Sequence, residues 1–318
     1  MEQYVDSDYQ IESIENAFSH LEDEKVIDAL RVQSTLRASL SSSLRSREFI
    51  EISPVIISPL TDPLNHPVSD PRIKCYGHDL WLTKSMIFHK QIAVQSLKKI
   101  FIMSPNIRLE TPEKSQSGRH LYEFTQADVE ALEWDRERSM NLAEEIIIEA
   151  VSTVKKENGN ILSSLGREIP DWEKGFRRVT FGDAEKEYGK DFEKGISEDS
   201  RDPVWIVDIP LHAREFYDRE WDDKPGVLKD MDLLWPEGYH EALSGGEREH
   251  DLKRILTRIS QKGQDPASFS WFIAAARKGL RGSSGFGIGV ERFTRFLCGL
   301  DNVSKASAFP KIPGRVSL

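Results

Sequence analysis

Cysteine and long apolar runs are scarce in this chain, and both absences restrict what it can be. The 318 residues include 2 cysteines, Cys75 and Cys298, which have neither the spacing of metal ligands nor a neighbouring His or Asp that would suggest a nucleophile. We expect buried free thiols. No apolar run approaches the roughly 20 residues of a membrane span, and the acidic start MEQYVDSDYQ is unlike a secretory signal. The sequence predicts a cytoplasmic protein.

A net positive charge is also missing. The formal net charge is -10 and the sequence pI is about 5.4. Nucleic-acid binding usually draws on a basic surface that displaces counterions from phosphates. The acidic balance therefore weakens an interpretation as a protein that binds nucleic acid alone, although a local basic groove stays possible. The length allows one large domain or two smaller ones.

The segment before the main body of the chain has apolar residues at helical spacing. Between residues 10 and 48 these residues are Ile11, Ile14, Phe18, Leu21, Val26, Ile27 and Leu30. We predict an N-terminal helical arm over residues 1–48 and one main domain over 49–318. Residues 155–200 are polar and charged, which predicts a peripheral insertion in that domain.

Short strand patterns dominate the main domain. The segments IKCYGHDLWL, DPVWIVDIP, REFYDRE, DMDLLWP and HEALSGG each have a strand pattern, and helical segments lie among them. One such helix follows Ser85, a possible N-cap, and another places Leu142, Ile146, Ala150 and Val154 on one face. Consecutive strands with grouped helices predict an α+β fold with a mainly antiparallel sheet flanked by helices.

Charges of both signs lie in the paired strand patterns of residues 102–130. Adjacent strand residues point to opposite faces, so Arg108 and Glu110 share one face, and Phe124 and Asp128 share a face of the return strand. A solvated sheet face with cross-strand ion pairs would explain them. A site where arginine meets phosphate or carboxylate would explain them as well. These residues alone leave both explanations open.

The segment GFGIGVERF carries a glycine at every second position. Gly285, Gly287 and Gly289 therefore lie on one strand face, where a ligand or another backbone can approach closely, and Arg292 begins the next helix. The segment lacks the Lys-Ser/Thr end of a P-loop and the spacing of a dinucleotide fingerprint. Packing alone explains the pattern equally well.

Together these segments resemble a known family. IRLE and RHLYEFTQADVE resemble motif 2 of class II aminoacyl-tRNA synthetases, GFGIGVERF resembles motif 3, and REFIEISPVII with Pro54 resembles motif 1. LTKSMIFHKQ and HEALSGGERE resemble the substrate-binding elements of the aspartyl and asparaginyl branch. Over residues 49–315 the pattern is similar to archaeal-type asparagine synthetases, stand-alone relatives of asparaginyl-tRNA synthetase. The resemblance implies the class II synthetase fold for the main domain.

The resemblance also implies a set of ATP-binding residues. Arg108 would hold the α-phosphate and act catalytically with Arg292, which would hold the γ-phosphate. Glu110 would contact the adenine amino group, and Phe124 would stack on adenine. The further residues implied at the ATP site are Arg119 and His120 at the outer phosphates, Gly287 and Gly289 in motif 3, and Glu241 and Ser244 as ligands of Mg2+.

The substrate aspartate would be held by four side chains and two glycines. Asp128 and Arg248 match positions that bind the amino group and a carboxylate. The others are Ser85, Lys90, Gly245 and Gly246. Lys90 on a solvated helix face, or Arg248 in an ion pair at a helix start, would be structural alternatives. Asp208 and Asp232 could orient Arg248 or pair with a strand neighbour.

Departures from the synthetases determine the predicted activity. Only 48 residues precede motif 1, so we expect no anticodon-binding domain, and with the net acidity we do not expect tRNA as a partner. The prediction is an AMP-forming ligase that converts aspartate and ammonia to asparagine through a β-aspartyl adenylate. Two alternatives remain: transfer of an activated amino acid to another amine, and tRNA aminoacylation. The resemblance implies a homodimer through motif 1, although the apolar run SPVIISPL is equally consistent with a buried core strand.

Overall fold

A computed structural model describes residues 10–66, 68–70 and 72–318. The helices are α1 (Ile14–Glu22), α2 (Glu24–Ser46), α3 (Ile87–Leu97), α4 (Arg136–Glu157), α5 (Gly159–Ser164), α6 (Phe181–Tyr188), α7 (Phe192–Asp199), α8 (Leu252–Gln261), α9 (Ser270–Arg277) and α10 (Val290–Leu297). The strands are β1 (Gln10–Ile11), β2 (Ile50–Glu51), β3 (Ile57–Ser58), β4 (Arg72–Cys75), β5 (His78–Leu82), β6 (Lys99–Ile107), β7 (Glu123–Leu132), β8 (Arg177–Thr180), β9 (Val204–Val207), β10 (Asp230–Trp235), β11 (His240–Glu247), β12 (Ser283–Gly289) and β13 (Arg315–Val316).

One large sheet organises the molecule. It has 8 strands in the order β2-β6-β7-β12-β11-β10-β9-β8. All its internal pairs are antiparallel, and the pairs β2–β6 and β8–β9 at its two edges are parallel. A separate sheet of 3 strands follows the order β3-β5-β4. The predicted α+β fold with a mainly antiparallel sheet flanked by helices is confirmed.

The two faces of the large sheet have different partners. On β7, Ala127, Val129 and Ala131 are buried in the main hydrophobic core, which also contains residues of α2, α4 and α10. Alternate residues of a strand point to opposite faces, so Gln126, Asp128 and Glu130 must face the other way. One face of the sheet therefore packs against α2, α4 and α10, and the opposite face carries polar side chains.

The helix that follows β7 begins and packs as its sequence predicts. Asp135 caps α4, where its carboxylate accepts a hydrogen bond of 2.8 Å from the amide of Arg138. The predicted face of Leu142, Ile146, Ala150 and Val154 is buried in the core. The helical pattern of residues 10–48 is confirmed as α1 and α2, and α2 joins the same core through Leu36, Leu40 and Leu44. The domain boundary at residue 48 stays a prediction.

A second apolar cluster covers the polar side of the sheet. Phe88 of α3 packs against Phe216 and Phe272, with ring centroids 5.8 Å and 4.7 Å away. Residues of α8 and α9 complete this cluster. Because α3 and the segment around Phe216 share these aromatic contacts, they are held together near strand β7, which carries Asp128 and Glu130.

Two local predictions are wrong. REFYDRE is an irregular segment with isolated bridges at Asp218 and Glu220 and no continuous ladder partner, and its buried Phe216 packs in an aromatic cluster. Ser85 lies one residue before the N-cap of α3, which is Met86. The Ser85 hydroxyl still accepts a hydrogen bond of 3.1 Å from the amide of Ile87.

The segment 155–200 forms α5, β8, α6 and α7. Strand β8 is the last strand of the large sheet. Helix α7 is anchored by Ser197, whose hydroxyl donates to the carbonyl of Trp235 at 2.6 Å and accepts from the amide of His240 at 2.9 Å. The segment thus covers the turn between β10 and β11, and its description as a peripheral insertion stays a prediction.

Several smaller expectations have structural outcomes. Ile56 and Ile57 are 40% and 45% exposed, so the alternative of a buried core strand is wrong for them, and the homodimer stays a prediction. Cys298 is buried, which raises its thiol pKa to about 12, whereas Cys75 is only half-buried. Among the described residues, no helix is long and apolar enough to span a membrane.

Candidate active site

The centre of the candidate site lies over strands β12 and β11, where the residues are small. Carboxylate side chains flank these strands on β7 and β10. In the register of the sheet, Asp128 on β7 lies opposite Gly287 on β12, and Gly287 lies opposite Ser244 on β11. The neighbouring row on the same face runs from Glu130 through Gly285 and Gly246 to Asp230. On β11 and β12 the cross-strand neighbours of these carboxylates have small or absent side chains, which leaves a depression over the middle of the sheet.

The glycines are required by close approach. A Cβ on Gly285 would lie 2.1 Å from the carbonyl oxygen of Val129, and a Cβ on Gly246 would lie 2.3 Å from Oδ1 of Asp230. A Cβ on Gly287 would lie 3.0 Å from Oδ1 of Asp128. The explanation of the glycine pattern by packing is therefore confirmed, whereas the explanation by a ligand site stays a prediction, although Gly287 and Gly289 also line the cavities described next.

Two adjoining cavities lie over this depression. The first is lined by Arg108, Glu110, Arg119, His120, Leu121, Phe124, Gln126, Glu241, Gly289, Glu291, Arg292 and Val303. The second has a volume of about 240 Å³ and is lined among others by Ser85, Lys90, Arg108, Asp128, Glu241, Ser244, Gly245, Arg248 and Gly287. Arg108, Gln126 and Glu241 line both cavities, so they mark the junction.

Arginines surround the first cavity. Nε of Arg108 donates to the carbonyl of Lys84 at 3.1 Å, and its guanidinium carbon lies 5.2 Å from the centre of the Phe124 ring. From the opposite side, Nη1 of Arg292 is 3.0 Å from Oε1 of Glu241. Convergent guanidinium groups at the mouth of a cavity are suited to an anionic ligand.

Four titratable groups of the first cavity have shifted pKa values, and two of them are His120 and Glu110. Burial, followed by the charges of Arg292 and Arg119, lowers the pKa of His120 to about 4, so its imidazole is neutral at pH 7. Burial is the largest single effect on Glu110 and would raise its pKa, but the hydrogen bond with His66 and the charges of His66, His120 and Arg108 together lower it. Nε2 of His66 lies 3.0 Å from Oε1 of Glu110. The carboxylate of Glu110 is therefore ionised at neutral pH.

Buried ion pairs build the second cavity. Nζ of Lys90 lies 2.9 Å from Oδ1 of Asp128 and 3.6 Å from Oε2 of Glu130. Nε of Arg248 lies 3.3 Å from Oε1 of Glu130, and its Nη1 lies 3.3 Å from Oδ1 of Asp218. Lys90 is 2% exposed, so it does not lie on a solvated helix face. Arg248 is 5% exposed and belongs to strand-flanking residues before α8, so an ion pair at a helix start does not describe it either.

All the sequence-predicted site residues line one of the two cavities except Gly246. Gly246 lies beneath, where it makes room for Asp230. Of the two uncertain carboxylates, Asp208 pairs with Arg136 at 2.7 Å and lines neither cavity. Asp232 pairs with Arg214, so it does not orient Arg248 directly.

Residues that the sequence analysis missed come from irregular segments. Asp62 and His66 belong to the proline-rich loop TDPLNHPVSDP, and Arg214, Tyr217 and Asp218 belong to REFYDRE; all five line the second cavity. The hydroxyl of Tyr217 donates to Oδ1 of Asp62 at 3.0 Å, which joins the two segments. The charged residues of REFYDRE were a visible signal, but the strand assignment gave no reason to place them in a cavity.

Helix α7 contributes one more acidic group. Glu193 lies four residues before Ser197 and therefore on the same side of the helix, facing β10 and β11. Burial, followed by the carboxylates of Glu241 and Asp232, raises the pKa of Glu193 to about 7. The segment 155–200 thus reaches the edge of the site.

Two further buried carboxyl groups, those of Asp218 and Asp230, line the second cavity. Burial raises the pKa of Asp218 to about 6, although Arg248 and Arg214 both act to lower it and Asp62 and Glu215 act to raise it further. Burial and the neighbouring Asp218 raise the pKa of Asp230 well above its usual value.

The shifted Asp218 predicts a pH dependence of stability. A carboxyl group with a raised pKa binds a proton more readily in the folded state, so its contribution to the free energy of unfolding falls as the pH rises from 3.8 to about 6. Asp218→Asn should therefore be less destabilising at pH 8 than at pH 4, because the charge that it removes is the one that the folded state disfavours at pH 8. Urea denaturation at both pH values measures this, and an equal loss of stability at both would contradict it.

The comparison with known families decides the relationship. The family described as tRNA synthetases class II (D, K and N) matches residues 10–313. The chain belongs to this family. The resemblance of the sequence motifs to class II synthetases is thereby confirmed at the level of the family.

Individual relatives of this class II synthetase are asparagine-specific by name. Asparagine--tRNA ligase of Thermococcus gammatolerans is 28% identical over 317 residues, which cover 93% of this chain and 72% of the relative. Asparagine--tRNA ligase of Pelotomaculum thermopropionicum is 29% identical over 299 residues, covering 89% and 68%. The crystal structure of asparaginyl-tRNA synthetase from Pyrococcus horikoshii complexed with asparaginyl-adenylate has a TM-score of 0.86 at 26% identity, covering 95% of this chain and 72% of that one.

These relatives correct three predictions. The predicted formation of asparagine from aspartate and ammonia is wrong, because the relatives that match nearly the whole chain are asparagine--tRNA ligases. The predictions that ammonia is a partner and that tRNA is not one are wrong for the same reason. The acidic net charge was a poor guide here, because it averages over the surface and does not describe a local binding face.

Proposed function

We propose that this class II synthetase activates an amino acid with ATP and passes the aminoacyl group to tRNA. In the first step an oxygen of the amino-acid carboxylate attacks the α-phosphorus of ATP, and the bond to the leaving pyrophosphate breaks. In the second step a ribose hydroxyl of the tRNA attacks the carbonyl carbon, loses its proton and forms an ester, and AMP leaves. Asparagine is the first substrate to test, because the relatives are asparagine--tRNA ligases.

The observation that carries this proposal is the junction of the two cavities at Arg108. An arginine shared by a cavity rich in cations and a cavity rich in paired carboxylates would meet the α-phosphate and the reacting carboxylate at once. Its fork of donors fits the charge that builds on a phosphate oxygen in the transition state. Phosphoryl and adenylyl transfer depend mainly on such positioning and charge stabilisation.

The other residues of the first cavity take complementary roles in the proposal. Phe124 provides a stacking surface for adenine, and Glu110 accepts a hydrogen bond from its amino group. Arg119, His120 and Arg292 bind the outer phosphates, and the backbone at Gly287 and Gly289 allows the nucleotide to approach. In the second cavity Ser85, Lys90, Asp128, Gly245, Gly246 and Arg248 surround the amino acid.

The residues at the junction also fit Mg2+. The carboxylate of Glu241 and the hydroxyl of Ser244 are hard oxygen donors of the kind that Mg2+ prefers, usually together with substrate phosphates. Among the described residues, no group of three or more His, Cys, Asp or Glu side chains could hold a metal ion alone. Phosphate oxygens would therefore complete the coordination, and the ion would neutralise their charge.

The activation step is tested by ATP–pyrophosphate exchange, with asparagine and aspartate supplied separately. We expect one of the two to support exchange and the other to be at least about tenfold poorer, because the cavity is built from paired charges that distinguish an amide from an acid. Failure of every amino acid to support exchange would contradict the proposed activation.

Glu110→Gln should weaken ATP selection specifically. Removing the charge from one partner of a hydrogen bond costs about 1.5–3 kcal/mol, so the KM for ATP should rise about tenfold or more while kcat changes little. Preference for ATP over GTP should fall in parallel. Glu113→Gln, three residues away on an exposed turn, is the matched control. A change confined to kcat would contradict this role.

A further inference from the structure

A strap of residues 60–66 runs along the second cavity, and the proposed reaction assigns it no role. Its first end is anchored by Leu60, which is 5% exposed and belongs to the apolar cluster around Phe88. Thr61 follows, and its hydroxyl accepts a hydrogen bond of 2.9 Å from the amide of Lys84. The members of the strap that line the second cavity are Asp62, Leu64, Asn65 and His66. The strap is therefore a fixed part of the cavity wall.

The last two residues of the strap join the two sides of the site. Nδ2 of Asn65 donates a hydrogen bond of 2.7 Å to the carbonyl of Ala213, which precedes the segment REFYDRE. In the opposite direction, Nε2 of His66 lies 3.0 Å from Oε1 of Glu110, a residue that lines the first cavity. His66 is thus the point at which the wall of the second cavity reaches a side chain of the first.

The donor in the contact between His66 and Glu110 follows from the chemistry of the two groups. An ionised carboxylate only accepts hydrogen bonds, so Nε2 of His66 carries the proton and donates it. Nδ1 of His66 lies 3.3 Å from Oδ1 of Asn65, and the bond from Asn65 to Ala213 fixes which end of that amide faces the imidazole. The imidazole is therefore held at both nitrogens while it engages one oxygen of Glu110.

We propose that His66 is a positioning residue, which holds the carboxylate of Glu110 in the orientation that selects adenine. This inference rests on the proposed binding of ATP in the first cavity, with Glu110 at the adenine amino group. His66 engages Oε1, so Oε2 is the oxygen that the amino group would meet. Guanine has a carbonyl oxygen where adenine has this amino group, and two facing acceptors repel each other. A residue of the amino-acid cavity thereby contributes to the choice of the nucleotide.

The contact also prepares Glu110 before the nucleotide arrives. A glutamate side chain has three rotatable bonds, and fixing them only on binding would cost conformational entropy. Burial opposes ionisation of Glu110, whose side chain is 8% exposed, and the hydrogen bond with His66 is the largest of the effects that lower its pKa. His66 therefore supports both the direction and the charge of this acceptor.

A role for His66 in holding the strap alone is the structural alternative. The strap has three anchors that do not involve the imidazole, which are Leu60 in the apolar cluster, Thr61 at Lys84 and Asn65 at Ala213. The side chain of His66 is itself 37% exposed. Removing the imidazole should therefore leave the strap in place and release only Glu110.

The test measures the affinities of the whole chain for ATP and for GTP, each with magnesium, by isothermal titration calorimetry. We expect wild type to bind ATP at least about tenfold more tightly than GTP. His66→Ala should weaken ATP about 5- to 10-fold and GTP by less than about twofold, because only ATP uses the acceptor that His66 orients. His66→Gln keeps an N–H donor at the reach of Nε2 and should restore most of the preference, whereas the shorter His66→Asn should not.

A double-mutant cycle shows whether His66 acts through Glu110. In the Glu110→Gln background, His66→Ala should change the preference for ATP by less than about twofold, because the charged acceptor is already absent. His78→Ala, at an exposed histidine of β5, is the matched control and should leave both affinities unchanged. Equal weakening of ATP and GTP in His66→Ala, or additive effects of the two changes, would overturn the inference, since His66 would then not act through Glu110.

The outcome is distinguishable from failure of the proposed function. A chain that prefers ATP through His66 but supports pyrophosphate exchange with no amino acid would support the inference and contradict the activation. Exchange with ATP, together with an unchanged preference in His66→Ala, would contradict the inference alone. A chain that binds neither nucleotide would contradict both.

Discussion

Arg108→Ala should lower kcat for ATP–pyrophosphate exchange by about 100- to 1,000-fold, the loss typical of removing one preorganised donor from a developing negative charge. Arg108 is held at the junction of the two cavities by the carbonyl of Lys84 and lies over the ring of Phe124. Both contacts fix the guanidinium before any substrate arrives. The variant therefore loses charge stabilisation in the transition state, and its KM values should change less than its kcat.

Two further variants sharpen this expectation. Arg108→Lys keeps the positive charge but loses the planar fork, so it should recover only part of the activity. Arg201→Ala removes an exposed arginine from a bend far from the cavities in sequence and should leave exchange unchanged. If Arg108→Ala raised only the KM for ATP, Arg108 would bind the ground state and the proposed role at the reacting phosphate would be wrong.

Glu130→Ala should lower the free energy of unfolding by about 3–5 kcal/mol, because breaking a buried ion pair leaves an uncompensated buried charge. Glu130 is 0% exposed. Its carboxylate accepts a hydrogen bond of 2.7 Å from the hydroxyl of Ser283, contacts Arg248 at 3.3 Å and lies 3.6 Å from Nζ of Lys90. Removing it would leave both cations short of a partner.

Urea denaturation at pH 7 measures the effect on stability. Glu123→Ala is the matched control, since Glu123 is exposed on the same strand and should change the free energy of unfolding by about 0.5 kcal/mol or less. Equal stability of the two variants would mean that Arg248 and Lys90 find other partners. The buried charge network would then not depend on Glu130.

The first cavity was predictable from the sequence in two ways. Phe124, Glu241 and Arg292 lie on regular elements, whereas the resemblance to the synthetase motifs identified residues of irregular segments, which are Arg108, Glu110, Arg119 and His120. Strand alternation places Phe124 and Asp128 on one face of β7, and the motif order brings Arg292 to the same region. The same alternation identifies Ala127 and Val129 as core residues on the opposite face. Local periodicity is enough for such assignments, because each strand fixes the direction of its own side chains.

The residues that irregular segments bring to the second cavity were not predictable in this way. Asp218 and Asp62 lie on irregular segments with no period, and their meeting through Tyr217 is a contact between distant parts of the chain. The sequence analysis assigned REFYDRE to a strand, yet Phe216 is held by an aromatic cluster and not by a ladder. Loops of this kind are positioned by tertiary contacts that sequence patterns do not encode.

The prediction that ammonia accepts the activated acyl group was wrong for a different physical reason. The acidic net charge and the short segment before motif 1 both favoured ammonia over tRNA as the nucleophile. The two cavities that would form an adenylate contain the same groups whichever nucleophile attacks later, so Arg108, Glu110 and Arg292 carry no information about the acceptor. Only the relatives of the whole chain distinguished the alternatives.

Aminoacylation of tRNA tests the central claim most directly. The wild-type chain would be incubated with ATP, magnesium, labelled asparagine or aspartate, and total tRNA, and the label recovered with the tRNA would be measured before and after mild alkaline hydrolysis. The account predicts label on tRNA that depends on ATP, is lost on hydrolysis of the ester, and falls by about 100-fold or more with Arg108→Ala. Amino-acid-dependent pyrophosphate exchange without any label on tRNA would contradict it.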